Sequence, residues 1–188
     1  MNSLVIPSSG FPLRWIRLVF ISSLFTLFSC DLGKAELDSC LDVFNYPSIL
    51  EFPAIGFCPE VIDGSVDDDI EVGVYALDVS GVAGIHAQIQ YDANKVQIID
   101  VYRGDFFERS QKQIFVYDDN GKGTLDIYTF FMSNEKTTEG TGEIALIEVR
   151  LNGSGQSEFI ITSQSELLDP DDIPIPIKGF GKGIINAK

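Results

Sequence analysis

A single histidine, a single tryptophan, and 13 basic residues against 28 acidic ones set the first limits on what this chain of 188 residues does. Nucleophilic catalysis needs a base beside the nucleophile, and the one imidazole, His86, sits mid-strand in an alternating stretch. The formal charge of -15 argues against nucleic-acid binding, because too few cations are present to release phosphate counterions. Such a charge supports solubility more than any specific basic partner. Trp15, the sole tryptophan, lies in the N-terminal leader, so the usual sugar-stacking side chain is missing from the rest of the chain. Acidic residues are so frequent that a carboxylate pair carries no signal for glycoside hydrolysis. The chain is expected not to be an enzyme and to need no cofactor.

What is present begins with a targeting segment. Arg14 and Arg17 form a positive n-region, and Leu18 to Phe28 is an apolar run interrupted only by Ser22, Ser23 and Thr26. A transmembrane helix needs about twenty apolar residues, so this run is too short to span. It ends in Leu27-Phe28-Ser29-Cys30, which resembles the lipobox of bacterial lipoproteins. That resemblance implies a signal peptide at 1–29, acylation of Cys30, and a protein anchored to the cell envelope outside the cytoplasm, periplasmic or surface-exposed. Two or three acyl chains anchor stably where one is marginal. Cys40 and Cys58 then remain, and an exported compartment permits a disulfide between them. Such a bridge contributes about 3 kcal/mol by loop closure. Residues 30–60 show no sustained period and carry Pro47, Pro53 and Pro59, so they are expected to form a spacer partly packed on the domain.

From Val61 onward the pattern is all β. In Gly81 to Asp92, Ile85, Ala87, Ile89 and Tyr91 alternate with His86, Gln88 and Gln90, the period of a strand with one face on a core. Ile70 to Asp78, Lys95 to Tyr102, Gln113 to Tyr117, Thr124 to Met132, Glu143 to Leu151, Glu158 to Thr162 and Gly183 to Ala187 read likewise. Asn120-Gly121 marks a hairpin, because both positions tolerate positive φ. Eight or nine short strands with polar turns predict a two-sheet antiparallel β-sandwich over residues 61–188. No internal repeat appears, and one module, expected to be a monomer, accounts for the chain.

The acidic loops are a poor calcium site. In the stretch from Asp118, the third ligand position falls on Lys122 and the twelfth on Thr129, where an EF-hand needs an oxygen donor and a glutamate. Asp67-Asp68-Asp69 and Asp169, Asp171, Asp172 read as solvated charge, and no metal is expected. The better signal is strand parity. With Leu125 and Ile127 inward, Asp126, Tyr128 and Phe130 point outward. With Ile114 and Val116 inward, Gln113, Phe115 and Tyr117 point outward too. Beside His86, Gln88 and Gln90 these aromatics form an amphipathic patch of the kind kept for a partner.

The strand ending in Tyr91-Asp92, the short turn, KVQIIDVYRGD, the later GTGEIALIEV and the terminal GKGIINAK together resemble the cohesin domain, over roughly residues 61 to 187. The resemblance implies a jelly-roll sandwich whose partner is a dockerin, a module with paired DxNxDG-type calcium repeats. It places His86 and Gln88 on the polar contact face, Tyr117 at the contact tyrosine before the hairpin, and Tyr128 and Phe130 on the adjacent strand. The asparagine and aspartate of type I domains appear here as Gly84 and His86, so clostridial specificity is not implied. Cohesins share their fold with carbohydrate-binding modules. The alternative is therefore a polysaccharide-binding module, with Phe115, Tyr117, Tyr128 and Phe130 as a stacking platform.

Overall fold

The computed structural model describes residues 50–107, 113–131 and 137–188. These form β1 (Ala54–Cys58), β2 (Val61–Gly64), β3 (Asp69–Val82), β4 (Gly84–Gln90), β5 (Val96–Arg103), β6 (Gln113–Asp119) and β7 (Thr124–Phe131). The chain continues through β8 (Thr138–Leu151), β9 (Gly155–Ile161), β10 (Glu166–Leu168), β11 (Pro174–Ile175), β12 (Gly179–Phe180) and β13 (Lys182–Ala187). No helix occurs among the described residues. Residues 1–49, with Cys30 and Cys40, lie outside them, as does Met132 at the expected end of β7.

The longest alternating stretches make the longest pairing. Ile70, Val72 and Val74 of β3 stand opposite Val149, Ile147 and Ala145 of β8, so both strands send their branched side chains to one face. The first sheet runs β12-β1-β3-β8-β5. The second runs β11-β10-β4-β9-β13-β2, with β7 on the other flank of β4 and β6 outside β7. Their inner faces enclose Phe57, Phe107, Phe159, Leu125, Ile127 and Ile147, all essentially inaccessible to solvent. Each such side chain contributes roughly 1.5–3 kcal/mol by leaving water. Phe159 is the hub of one end, its ring 6.0 Å from Phe57 and 5.9 Å from Tyr91. This is the expected jelly-roll sandwich, with one refinement: β1 pairs with β12, and β2 with β13, in parallel. Both are edge pairings that bring the start of the sandwich against its end, a relation between distant segments that alternation along one strand does not encode.

Two local differences from the sequence reading have simple causes. Residues 54–58, assigned to the spacer, are a sheet strand, and every one is buried. Pro53 and Pro59 flank this run without entering it; a short apolar run between prolines is a strand buried on both faces. Second, the Asn120-Gly121 hairpin exists, yet Asn120 is not left-handed. Gly121 (φ 63°) and Gly123 (φ 104°) are, and the Asn120 side chain accepts the N–H groups of Lys122 and Thr124. The turn is therefore wider than a two-residue one. The acidic, proline-rich 169–179 stretch, whose composition reads as a long loop or edge, carries the short edge strand β11 and leads into β12.

The outer side of the first sheet is covered locally. Ala54, Cys58, Tyr75 and Leu77 form a separate apolar cluster there, with Leu50 and Phe52 packed against it. Cys58 is disulfide-bonded.

Candidate functional site

The outer side of the second sheet carries the candidate site. In β4 the inward Ile85, Ala87 and Ile89 are buried while His86 and Gln88 are half-buried and Gln90 is exposed. In β7 the inward residues are Leu125, Ile127 and Thr129, which turns Asp126, Tyr128 and Phe130 outward as parity requires. The antiparallel register then sets His86 opposite Tyr128, Gln88 opposite Asp126 and Gly84 opposite Phe130.

Those pairings build an ordered polar network. His86 Nε2 lies 2.7 Å from Asp126 Oδ1, so this nitrogen carries the proton and donates to the carboxylate. The Gln88 amide donates to the same oxygen at 3.0 Å, and Thr162 Oγ1 donates to Gln88 Oε1 at 2.8 Å. The imidazole stacks on Tyr128 with centroids 4.5 Å apart and planes within 5°. Tyr128 and Phe130 nevertheless keep 39% and 37% of their surface in solvent. Burial, followed by the negative charges of Asp126 and Asp118, holds the Tyr128 phenol above its ordinary pKa, so the ring is presented neutral.

β6 departs from the expected parity. Its register with β7 sets Val116 opposite Tyr128 and Ile114 opposite Phe130, so these aliphatic side chains share the outer face. Phe115 stands opposite the buried Thr129 and packs on the core, and Gln113 donates to the Thr129 hydroxyl. Tyr117 stands opposite Ile127 and donates its hydroxyl to Asp100 of β5 at 2.9 Å, linking the edges of the two sheets. That hydrogen bond, with burial and the Asp100 charge behind it, raises the Tyr117 pKa. The cause of the reversal is the turn: the pairing of Asp119 with Leu125 puts Tyr117 and Phe115, not Val116, in phase with Leu125. The four-ring stacking platform is accordingly reduced to Tyr128 and Phe130. Val116, 53% exposed, joins them on the outer face.

Thr162 and the 168–172 segment are further parts of the site. β10 lies beside the first half of β4, with Glu166 opposite His86 and Leu168 opposite Gly84. Beyond it the 169–172 loop rims a groove of about 520 Å³ whose other walls are Gly84, His86, Tyr128 and Phe130. Their only sequence signal was the run of aspartates, which has no period.

The His86-Asp126 pair has the form of a base with its orienting carboxylate, yet among the described residues no serine or threonine hydroxyl bonds the ring. Among the same residues no group of three or more histidine, cysteine or acidic side chains is placed to hold a metal ion. The arrangement offers an apolar ridge of Val116, Tyr128 and Phe130 beside a rigid polar strip. Such a surface is suited to contact with a partner surface.

The family model of the cohesin domain matches residues 59–174, well over half of the chain. Solved structures agree in fold. A type II cohesin domain from the cellulosome of Acetivibrio cellulolyticus is 16% identical, with 71% of this chain and 94% of that one aligned at a TM-score of 0.62. A non-cellulosomal cohesin from Archaeoglobus fulgidus is also 16% identical, covering 72% of this chain and 91% of its own at 0.56. A type I cohesin-dockerin complex from Clostridium thermocellum is 18% identical, covering 75% and 98% at 0.55. Comparison with curated protein sequences finds no match.

Proposed function

Since this chain belongs to the cohesin family, we propose that it is a non-catalytic docking module that captures a dockerin-type module of an exported partner protein. The observation that carries this reading is the outer face of the second sheet, where Tyr128, Phe130 and Val116 remain in solvent beside a hydrogen-bonded strip of His86, Asp126, Gln88 and Thr162. Helices of a partner laid across this face bury the rings, and the strip fixes their register through polar contacts. The described part of the N-terminal segment, Leu50 and Phe52, packs on the other sheet and leaves this face open. Similar folds have been solved as cohesin-dockerin complexes, which favours the same class of partner here. Acylation at Cys30 would hold the module on the cell envelope, and a role in polysaccharide breakdown would come from the captured enzyme.

Two measurements test the reading. Replacing Tyr128 and Phe130 with alanine abolishes capture of exported modules with paired calcium repeats while the folded fraction stays unchanged; undiminished capture would sink the face assignment. Replacing Cys30 with serine moves the full-length protein from the membrane to the soluble fraction.

A further inference from the structure

The groove beside Phe130 has a chemistry of its own. Its floor is Gly84, which faces Phe130 on one side and Leu168 on the other. A Cβ added there would lie 3.5 Å from Phe130 Cβ and 3.6 Å from Leu168 Cβ, ordinary contact distances. The missing side chain therefore leaves a slot between two apolar walls. Asp169, Asp171 and Asp172 also line the groove, the last two exposed to solvent, and no lysine or arginine lines it. Asp169 Oδ1 accepts the N–H groups of Asp171 and Ile173, which fixes the loop. Asp171 and Asp172 are exposed and have no ion-pair partner among the described residues.

An acidic side chain in this slot would be repelled. A purely apolar one would strip water from the carboxylates without neutralising them. A long cationic side chain satisfies both ends, since its methylenes cover apolar surface while the charge stays at the wet rim. The neighbouring rings add a favourable face for the cation. We propose that the slot over Gly84 is a specificity pocket for one lysine or arginine of the docked partner, with the stem between Phe130 and Leu168 and the head among Asp169, Asp171 and Asp172. The inference rests on the docking role above and goes further, since it fixes the chemistry of a partner residue.

The test uses a displayed library of two-helix calcium-repeat dockerin modules, randomised at exposed helix positions and selected on the intact protein. Selected binders carry lysine or arginine at one fixed position. They lose about tenfold or more in affinity against Gly84→Val, and a similar factor against Asp171→Asn/Asp172→Asn, with a flatter salt dependence. The second variant lies on an exposed loop and keeps a residue that tolerates the left-handed backbone at position 172 (φ 60°), so folding is not at issue. Binders that need Tyr128 and Phe130 but show no fixed cation, or ignore both variants, overturn the pocket and leave the docking face standing. Failure to select any binder that needs Tyr128 and Phe130 overturns the docking face and the pocket together.

Discussion

His86 lies flat on Tyr128, 4.5 Å between centroids, while its Nε2 is tied to Asp126 at 2.7 Å. The stack acts along the ring normal and the hydrogen bond in the ring plane, so together they restrain both rotation and tilt. Gln88, tied to the same carboxylate, shares that fixation.

Asp126→Ala removes the anchor of both side chains. Hydrogen bonds to a charged group contribute about 1.5–3 kcal/mol when intact, and partial exposure of this pair places it at the low end. Partner affinity measured calorimetrically falls at least tenfold, and the urea midpoint falls by no more than the equivalent of about 1.5 kcal/mol. A large loss of stability with unchanged affinity would mean that the strip is structural only.

Phe159→Ala opens a cavity where the rings of Phe57 and Tyr91 meet. Phe159 is wholly buried, and truncation of such a residue costs about 3–5 kcal/mol. Urea unfolding followed by tyrosine fluorescence reads the loss. A change below about 1 kcal/mol would contradict the packing described.

Gly121 and Gly123 separate backbone strain from steric overlap. Both have positive φ, but a Cβ at Gly121 meets open space, whereas one at Gly123 falls 2.4 Å from the Tyr91 carbonyl oxygen. Gly121→Ala costs about 1 kcal/mol, the ordinary penalty for a left-handed alanine. Gly123→Ala costs more, because the added Cβ overlaps that backbone oxygen while the hydrogen bond from Tyr91 N–H to the Gly123 carbonyl holds the two segments together. Paired thermal melts decide, and equal shifts would refute the close approach.

Alkaline pH weakens the fold through its tyrosines. Burial first, and then hydrogen bonds to Glu143 at 2.9 Å and Asp119 at 2.7 Å, raise the pKa values of Tyr75 and Tyr91. The folded chain therefore keeps these protons when the unfolded chain releases them. Their contribution is fully present below about pH 10, the ordinary phenol value, and declines as pH rises beyond it. Urea midpoints between pH 8 and pH 11 show the decline, and the Tyr75→Phe/Tyr91→Phe variant shows a shallower one.

Much of this architecture was legible because alternation is a local signal. Ile85 to Gln90 and Leu125 to Phe130 carry their inward and outward assignments in the sequence itself, and the structure places His86, Gln88, Gln90, Asp126, Tyr128 and Phe130 together on one face. Phe115 and Tyr117 were misplaced because the phase of β6 depends on the length of the turn that joins it to β7, not on its own residues. β1 was hidden by the prolines that bound it. The groove was illegible for a different reason. Its floor is a glycine and its rim an aperiodic loop from another part of the chain, so only the pairing of β10 with β4 creates it.

The position of β13 has a kinetic consequence. It inserts between β9 and β2, hydrogen-bonding Ile184 to the neighbourhood of Val61 across more than a hundred residues. β2 therefore joins the second layer only through β13, so its capture waits on a long-range contact of the slow kind.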